Sequence, residues 1–296
     1  MMTVQNPELA QDGLAFLDGV IRDFLRDSPL NRLEHFGGEA VFTDVQVGLA
    51  RGDDPIFQTF RQVVHPEHGL PTELLASRLD ALGEREATVP GSVAVVAYAL
   101  SMHPETVRSN AEQTVGPSLR WNHSRWQGEA FSNALLAHLV ETLEAAGAPA
   151  LAPSLAADYR IDREGRIASN WSHRHAAYAA GLGTFSLNDG FITPKGIAVW
   201  FGSLVTAAAM VPTPRPEGGH LANCLAASRG TCGACMARCP VQAISREGHD
   251  KARCMQEIFL GQKPWLEGAH GPGYIGKYAG CGLCMTGVPC SMRKPG

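Results

Sequence analysis

All eight cysteines of this chain fall between Cys224 and Cys290, and they mark where it could do chemistry. The centre of that block reads Cys232-Gly-Ala-Cys235-Met-Ala-Arg-Cys239-Pro240, a C-x2-C-x3-C-P run. Soft thiolates suit iron–sulfur centres, and this spacing is the back three-quarters of the bacterial cluster run C-x2-C-x2-C-x3-C-P. A strict match would place the first cysteine where Arg229 stands. Cys224 lies five residues earlier, so the loop from Leu225 to Thr231 must carry it back. The second half supplies Cys254, the pair Cys281-Gly-Leu-Cys284, and Cys290. Eight thiolates are the number that two [4Fe-4S] clusters consume. In two-cluster ferredoxins the cysteine before proline crosses to the other cluster. That rule puts Cys224, Cys232, Cys235 and Cys290 on one cluster, and Cys239, Cys254, Cys281 and Cys284 on the other. Zinc is the alternative, since it also uses paired C-x2-C, but a C-x3-C-P tail is not a zinc-ribbon spacing.

The rest of the composition narrows the class. A chain of 296 residues can bury a full core and is expected to divide into residues 1–215 and a smaller cluster domain, 216–296. The net charge is −4 with 18% charged residues, so no basic footprint is present and no nucleic-acid partner is expected. No apolar run approaches the length of a membrane span. The first residues carry no charged, apolar or twin-arginine export pattern, so the expectation is a cytoplasmic protein with reduced thiols.

The elements that must position the cysteines read as a mixture of helices and strands without regular alternation, hence α+β. Asn6-Pro7 is a helix start, followed by an apolar stripe of Leu14, Leu17, Ile21, Phe24 and Leu25 at helical spacing. Between Asn31 and Gly69 the periodicity supports only loops and short elements. Thr72 to Leu82 is a helix stopped by Gly83. Ser92 to Leu100, bounded by Pro90-Gly91, is a buried central strand. Ser124 to Ala146 is a long helix with Phe131, Leu135, Leu139 and Leu143 facing inward, and Ala148 to Pro153 suits a short strand. Ser172 to Ala180 is a small, alanine-rich helix, and Ile197 to Ala208 a strong β run. The stretch from Val211 to Gly219, rich in proline and glycine, is the expected domain boundary.

One order of motifs carries more. Ala180-Gly181-Leu182-Gly183, then Ile192-Thr193-Pro194-Lys195-Gly196, then Gly202-Ser203 and Thr206, then the cysteine block, resembles the epoxyqueuosine reductases and reductive dehalogenases. The resemblance runs from about Ser92 to Cys290. It implies a nitroreductase-like, corrinoid-binding domain beside a ferredoxin-like domain with two [4Fe-4S] clusters. It also implies base-off cobalamin as cofactor, with no side chain on cobalt. Carried over by position, Gly181, Leu182, Gly183, Thr184, Thr193, Gly202, Ser203 and Thr206 are the expected corrinoid contacts. Small residues let backbone approach a flat macrocycle, and hydroxyls with backbone N–H groups suit its amides and phosphate. The competing reading of the alanine–glycine stretch is tight packing in an ordinary core.

Departures from the family are informative. Epoxyqueuosine reductases carry an acidic proton donor about fourteen positions before this glycine; here the stretch Arg166-Ile-Ala-Ser-Asn170 has no carboxylate, and Asp162 lies upstream of it. The family's Glu-Arg pair is replaced by His173-Arg174-His175. The final Cys-Pro motif reads Val288-Pro289-Cys290, and the C-terminal repeats that bind transfer RNA are not expected. These changes count against queuosine as substrate.

Proton donation then falls to His173 or His175, which ordinarily titrate near neutrality, or to a tyrosine: Tyr178, with Tyr98 and Tyr159 as further candidates. The two histidines, two residues apart, would face different sides of a helix and so make no metal pair. Trp121, His123 and Trp126 suit either a pocket wall or a core. The expected function is a cobalamin-dependent reductive elimination or dehalogenation of a small organic substrate. Electrons would come from a low-potential donor such as ferredoxin or flavodoxin. The alternatives are an FMN-dependent reductase, or an electron-transfer protein serving a partner's corrinoid. The oligomeric state is not readable.

Overall fold

The computed structural model describes residues 7–83, 93–164 and 167–296. The expected cap at Asn6, the strand start at Pro90-Gly91-Ser92, and Arg166 lie outside the described residues.

Four antiparallel strands form the main sheet, in spatial order β1, β2, β4, β3: β1 is Phe42–Arg51, β2 Ala94–Met102, β3 Ala150–Leu151 and β4 Val199–Thr206. Strand β2 sits inside the sheet and only Ser101 of it is not buried. Alternation by two sends its side chains to opposite faces. Val96, Tyr98, Leu100 and Met102 enter one core, while Val95, Ala97 and Ala99 enter the other. Both faces are covered by helices, which is why the strand reads as a continuous apolar run.

Helix α1 (Gly13–Asp27) and the long helix α3 (Leu119–Ala145) cover the first face. The chain breaks before α1 at Asp12, whose carboxylate caps the helix by accepting from the Ala15 N–H at 3.0 Å. Helix α3 starts earlier than the apolar stripe suggests, because the Ser118 hydroxyl accepts from the Trp121 N–H. Phe131, Leu135, Leu139 and Leu143 are all buried, each stabilising the fold by roughly 1.5–3 kcal/mol relative to exposure. On the second face lie a helix at Ile56–Val63, α2 (Pro71–Leu82) and α4 (His173–Ala179).

The segment Asn31–Gly69 is more regular than its sequence suggests. It holds the ten-residue strand β1 and the Ile56–Val63 helix. Strand β1 is an edge strand with a register shift between Phe42 and Asp44, so its apolar alternation is interrupted.

The cysteine block folds as α5 (Leu225–Arg229), α6 (Ala234–Arg238), a helix at Lys251–Gln256 that runs into a π-helical turn at Glu257–Gly261, and a short helix at Lys263–Leu266. It is bonded to the first layer at many points. The buried Asn110 amide donates to the Cys281 carbonyl and to Thr286 Oγ1, both at 3.1 Å. Asn122 donates to the carbonyls of Ile275 and Ala279, and the Trp126 indole donates to that of Tyr278. A ring nitrogen of His123 meets the Gly273 carbonyl at 2.8 Å. The Trp121 ring packs on Gly282, where a Cβ would lie 2.1 Å from it, so Trp121, His123 and Trp126 all join the cysteine block to α3. The segment Val211–Gly219 is also pinned: Thr213 Oγ1 accepts from the Leu49 N–H and donates to the Ala180 carbonyl. No described helix is long and apolar enough to cross a membrane.

Candidate functional site

The thiols fall into two neighbourhoods. Cys224, Cys232, Cys235 and Cys290 line one small apolar pocket, walled by Ile192, Val288 and Pro289. Burial pushes the Cys290 thiol up to about 12, and Cys235, Cys224 and Cys232 add repulsion. Burial, then Cys281 and Cys239, push Cys254 up to about 11; burial, then Cys281 and Cys254, raise Cys284 as well. So Cys239, Cys254, Cys281 and Cys284 sense one another as the second set. Cys284 also senses Cys235, so the two sets are neighbours.

Both sets suit a cofactor that takes thiolates and supplies positive charge, because burial raises the Cys235, Cys254, Cys281, Cys284 and Cys290 thiols and such a charge would offset it. A hydrogen-bond donor is already aimed at one of the sulfurs: the Ala243 N–H reaches Cys239 Sγ at 3.1 Å. Among the described residues no group of three or more His, Cys, Asp or Glu closes tightly enough around one point to hold a single metal ion. A cubane binds each thiolate to a different iron, so its cysteines stand farther apart than ligands around one ion do.

Beside the first set lies a cavity of about 1000 Å3, at the upper end of the usual range for small-molecule and cofactor sites. Ser186 and Ala226 line both this cavity and the first thiol pocket, so the two spaces share a wall. One side is apolar, with Phe60, Val64 and Phe185; Ala168, Ala227 and Gly248 keep other parts flat. Arg174, Arg246 and Lys251 supply positive charge. Asp189, in the left-handed region at φ 57°, faces His249 Nδ1 at 3.2 Å and Lys251 Nζ at 3.6 Å. Burial alone would raise its carboxyl, yet these partners hold it below the usual range. Asp189, Arg246, Lys251 and Phe60 escaped the sequence reading. Only the turn-forming run Asn188-Asp189-Gly190 gave a local signal, and it speaks of backbone.

The two expected histidines behave differently from a pair that titrates near neutrality. Burial pushes His173 down to about 4 and His175 to about 3. His175 lines the cavity between Phe60 and Phe185, ring centroids 5.0 and 4.6 Å away, with Nδ1 at 2.8 Å from Ser172 Oγ. His173 does not line the cavity: its Nδ1 sits 2.7 Å from Ser203 Oγ, which accepts from the Trp171 indole. At neutral pH neither ring carries the extra proton of a good acid. Tyr178 is on the cavity wall, whereas Tyr98 is wholly buried in the sheet core and Tyr159 is away from the cavity.

None of the eight expected corrinoid contacts lines the cavity. Each is engaged by the protein itself. A Cβ on Gly181, at φ 74°, would lie 2.3 Å from the Pro214 carbonyl oxygen, and one on Gly202 would lie 2.1 Å from the Tyr98 ring. Gly183 packs equally tightly on Ile192, and Leu182 is buried. Thr184 Oγ1 accepts from the Asn223 N–H, Thr193 Oγ1 donates to the Gly196 carbonyl, and Thr206 Oγ1 donates to that of Pro149. Ser203 is held by Trp171 and His173.

No family model and no curated protein matches the chain. Among solved structures it is similar to a reductive dehalogenase described as suggesting a mechanism for B12-dependent dehalogenation. The two are 15% identical with a TM-score of 0.52, over 84% of this chain and 30% of that one. It is also similar to epoxyqueuosine reductase from Bacillus subtilis, at 18% identity and TM-score 0.40, over 85% of this chain and 62% of that one. A third match is an epoxyqueuosine reductase with a tRNA-Tyr stem loop, at 17% identity and TM-score 0.43, over 95% and 67% of the two chains. The chain thus spans less than two thirds of the first two proteins, and what it shares with the dehalogenase is the fold. The resemblance drawn from the motifs holds at that level. The expectation of a small-molecule substrate and no nucleic-acid partner is corrected by the third match, an epoxyqueuosine reductase described with a tRNA stem loop.

Proposed function

We propose that this protein is an iron–sulfur reductase of nitroreductase-like and ferredoxin-like parts. Its two thiol sets hold [4Fe-4S] clusters, and its large cavity holds a corrinoid at which the substrate is reduced. One observation carries the reading: the cavity and the Cys224/Cys232/Cys235/Cys290 pocket share Ser186 and Ala226 as a common wall, so an electron has little protein to cross. The small side chains Ala168, Ala226 and Ala227 leave room for a flat macrocycle, and Arg174 and Lys251 suit its phosphate and amides. When bound, such a cofactor supplies the reductive chemistry; the protein binds it, excludes water and delivers protons.

Tyr178 is the tyrosine on the cavity wall and takes the place of the two histidines, which burial holds neutral, as the proposed proton donor. The test is anaerobic reconstitution with hydroxocobalamin, followed by desalting, corrinoid and iron–sulfide analysis and a visible spectrum. About eight iron and eight sulfide per chain, with one base-off corrinoid, is the expected result. Zinc at the thiols, or bound FMN with no corrinoid retained, would sink it.

A further inference from the structure

The side chain of Gln262 is wholly buried, and neither its Oε1 nor its Nε2 has a hydrogen-bond partner. A buried, unpartnered amide costs roughly 1–3 kcal/mol, so a fold keeps one only where something else answers it. Its place is specific. Gln262 is the C-terminal cap of the π-helical turn Glu257–Gly261, an irregularity common at functional sites, and its amide lies against the Cys281 thiol. Its main chain is fully used, donating to the Glu257 carbonyl and accepting from the Trp265 N–H, so the backbone that carries the amide is held here.

We propose that the Gln262 amide is a positioned N–H donor to the sulfurs of the centre bound by Cys239, Cys254, Cys281 and Cys284, and that it sets the reduction potential of that centre above what the same thiols alone would give. This rests on the two-cluster reading above. A single electron from an external low-potential reductant adds one negative charge to the iron–sulfur unit, and no bond forms or breaks. A donor aimed at its sulfurs stabilises the more negative state, so the amide favours reduction. Among the described residues the pocket of the first set is walled by Ile192, Leu225, Val288, two prolines and alanines, and the hydroxyl of its one polar wall residue, Ser186, already donates to Asn188 Oδ1. The two centres should therefore differ in potential, with the Gln262 centre the easier to reduce.

The test is an anaerobic redox titration of the full, cluster-loaded chain with dithionite, followed by electron paramagnetic resonance, for the wild type, Gln262→Met and Gln262→Leu. Both substitutions keep apolar volume and remove the donor. One of the two centres should become harder to reduce, by about tenfold in its reduction equilibrium, while the other stays where it was. Unchanged midpoints in a fully loaded variant, or an equal shift of both, overturn the proposal. So does loss of the second centre alone in both variants, which would make the amide structural. A wild type that holds no iron and sulfide refutes the cluster reading instead, and is told apart by metal analysis before any titration.

Discussion

The two thiol neighbourhoods sit side by side, yet they are built differently. The first lines an apolar pocket walled by Ile192, Leu225, Val288 and Pro289, and it shares a wall with the cavity. The second is reached by polar side chains. The Asn188 amide donates to the Cys284 carbonyl, Asn110 to that of Cys281, and Gln262 lies against the Cys281 thiol. An apolar, water-poor surrounding disfavours added negative charge, whereas donors favour it.

Breaking the sets apart gives the largest effect. Cys239→Ser, although in the first motif, should remove the centre of the second set, with iron and sulfide falling from about eight to about four per chain. A loss confined to the first set would refute the crossover. Next is Asn110→Ala. It removes two donated bonds and the one that the Asn110 Oδ1 accepts from the Ser118 N–H at 2.9 Å, all with the side chain fully buried. The expected cost is about 3 kcal/mol in thermal unfolding, with the second set losing iron before the first.

Gly202→Ala tests whether this glycine serves packing or the cofactor. Its new methyl meets the Tyr98 ring, so stability should drop by about 1–3 kcal/mol while corrinoid retention is unchanged. Lost retention at full stability would restore Gly202 as a cofactor contact.

The smallest effect is on pH dependence. Burial holds His68 and His173 at about 4 and His175 at about 3, below an unfolded histidine near 6.5. Above pH 6.5 all three are neutral in both states. As the pH falls from 6.5 toward 4, the unfolded chain takes up protons that the folded one refuses, so stability is lost on the acid side. Replacing one of the three by Gln should flatten this part of the slope by about a third, read from denaturant midpoints across that range. An unchanged slope would mean that the ring is already charged in the folded protein.

What the sequence made legible follows from how local the signal was. The C-x2-C pairs are local, and so is the apolar run of β2, whose every second residue meets one of two covered faces. The spacing rule placed Cys224, Cys232, Cys235 and Cys290 together, and these four line one pocket. The cavity was not legible. Its charged residues Arg174, Asp189, Arg246 and Lys251 come from separate elements that meet only in the fold. The glycine motif was visible but its reason was not: Gly181 and Gly202 make way for Pro214 and Tyr98, contacts that no spacing announces. Histidine acidity was misread for a related cause, since burial and aromatic walls are tertiary facts. Strand β1 was hidden by an exposed edge and a bulge.

The bond between Asn110 and Thr286 joins residues 176 positions apart, and that between Leu49 and Thr213 joins residues 164 apart. During synthesis neither can close until the later partner has left the ribosome. At roughly 5–20 residues per second this leaves Asn110 waiting on the order of ten to thirty seconds. For that interval the sheet can form, but the strap between it and the thiols is slack. Cys281 and Cys284 are close to the end of the same wait. The order of events is therefore imposed by the thread of the chain: scaffold first, thiol cage last, and any loading of metal later still.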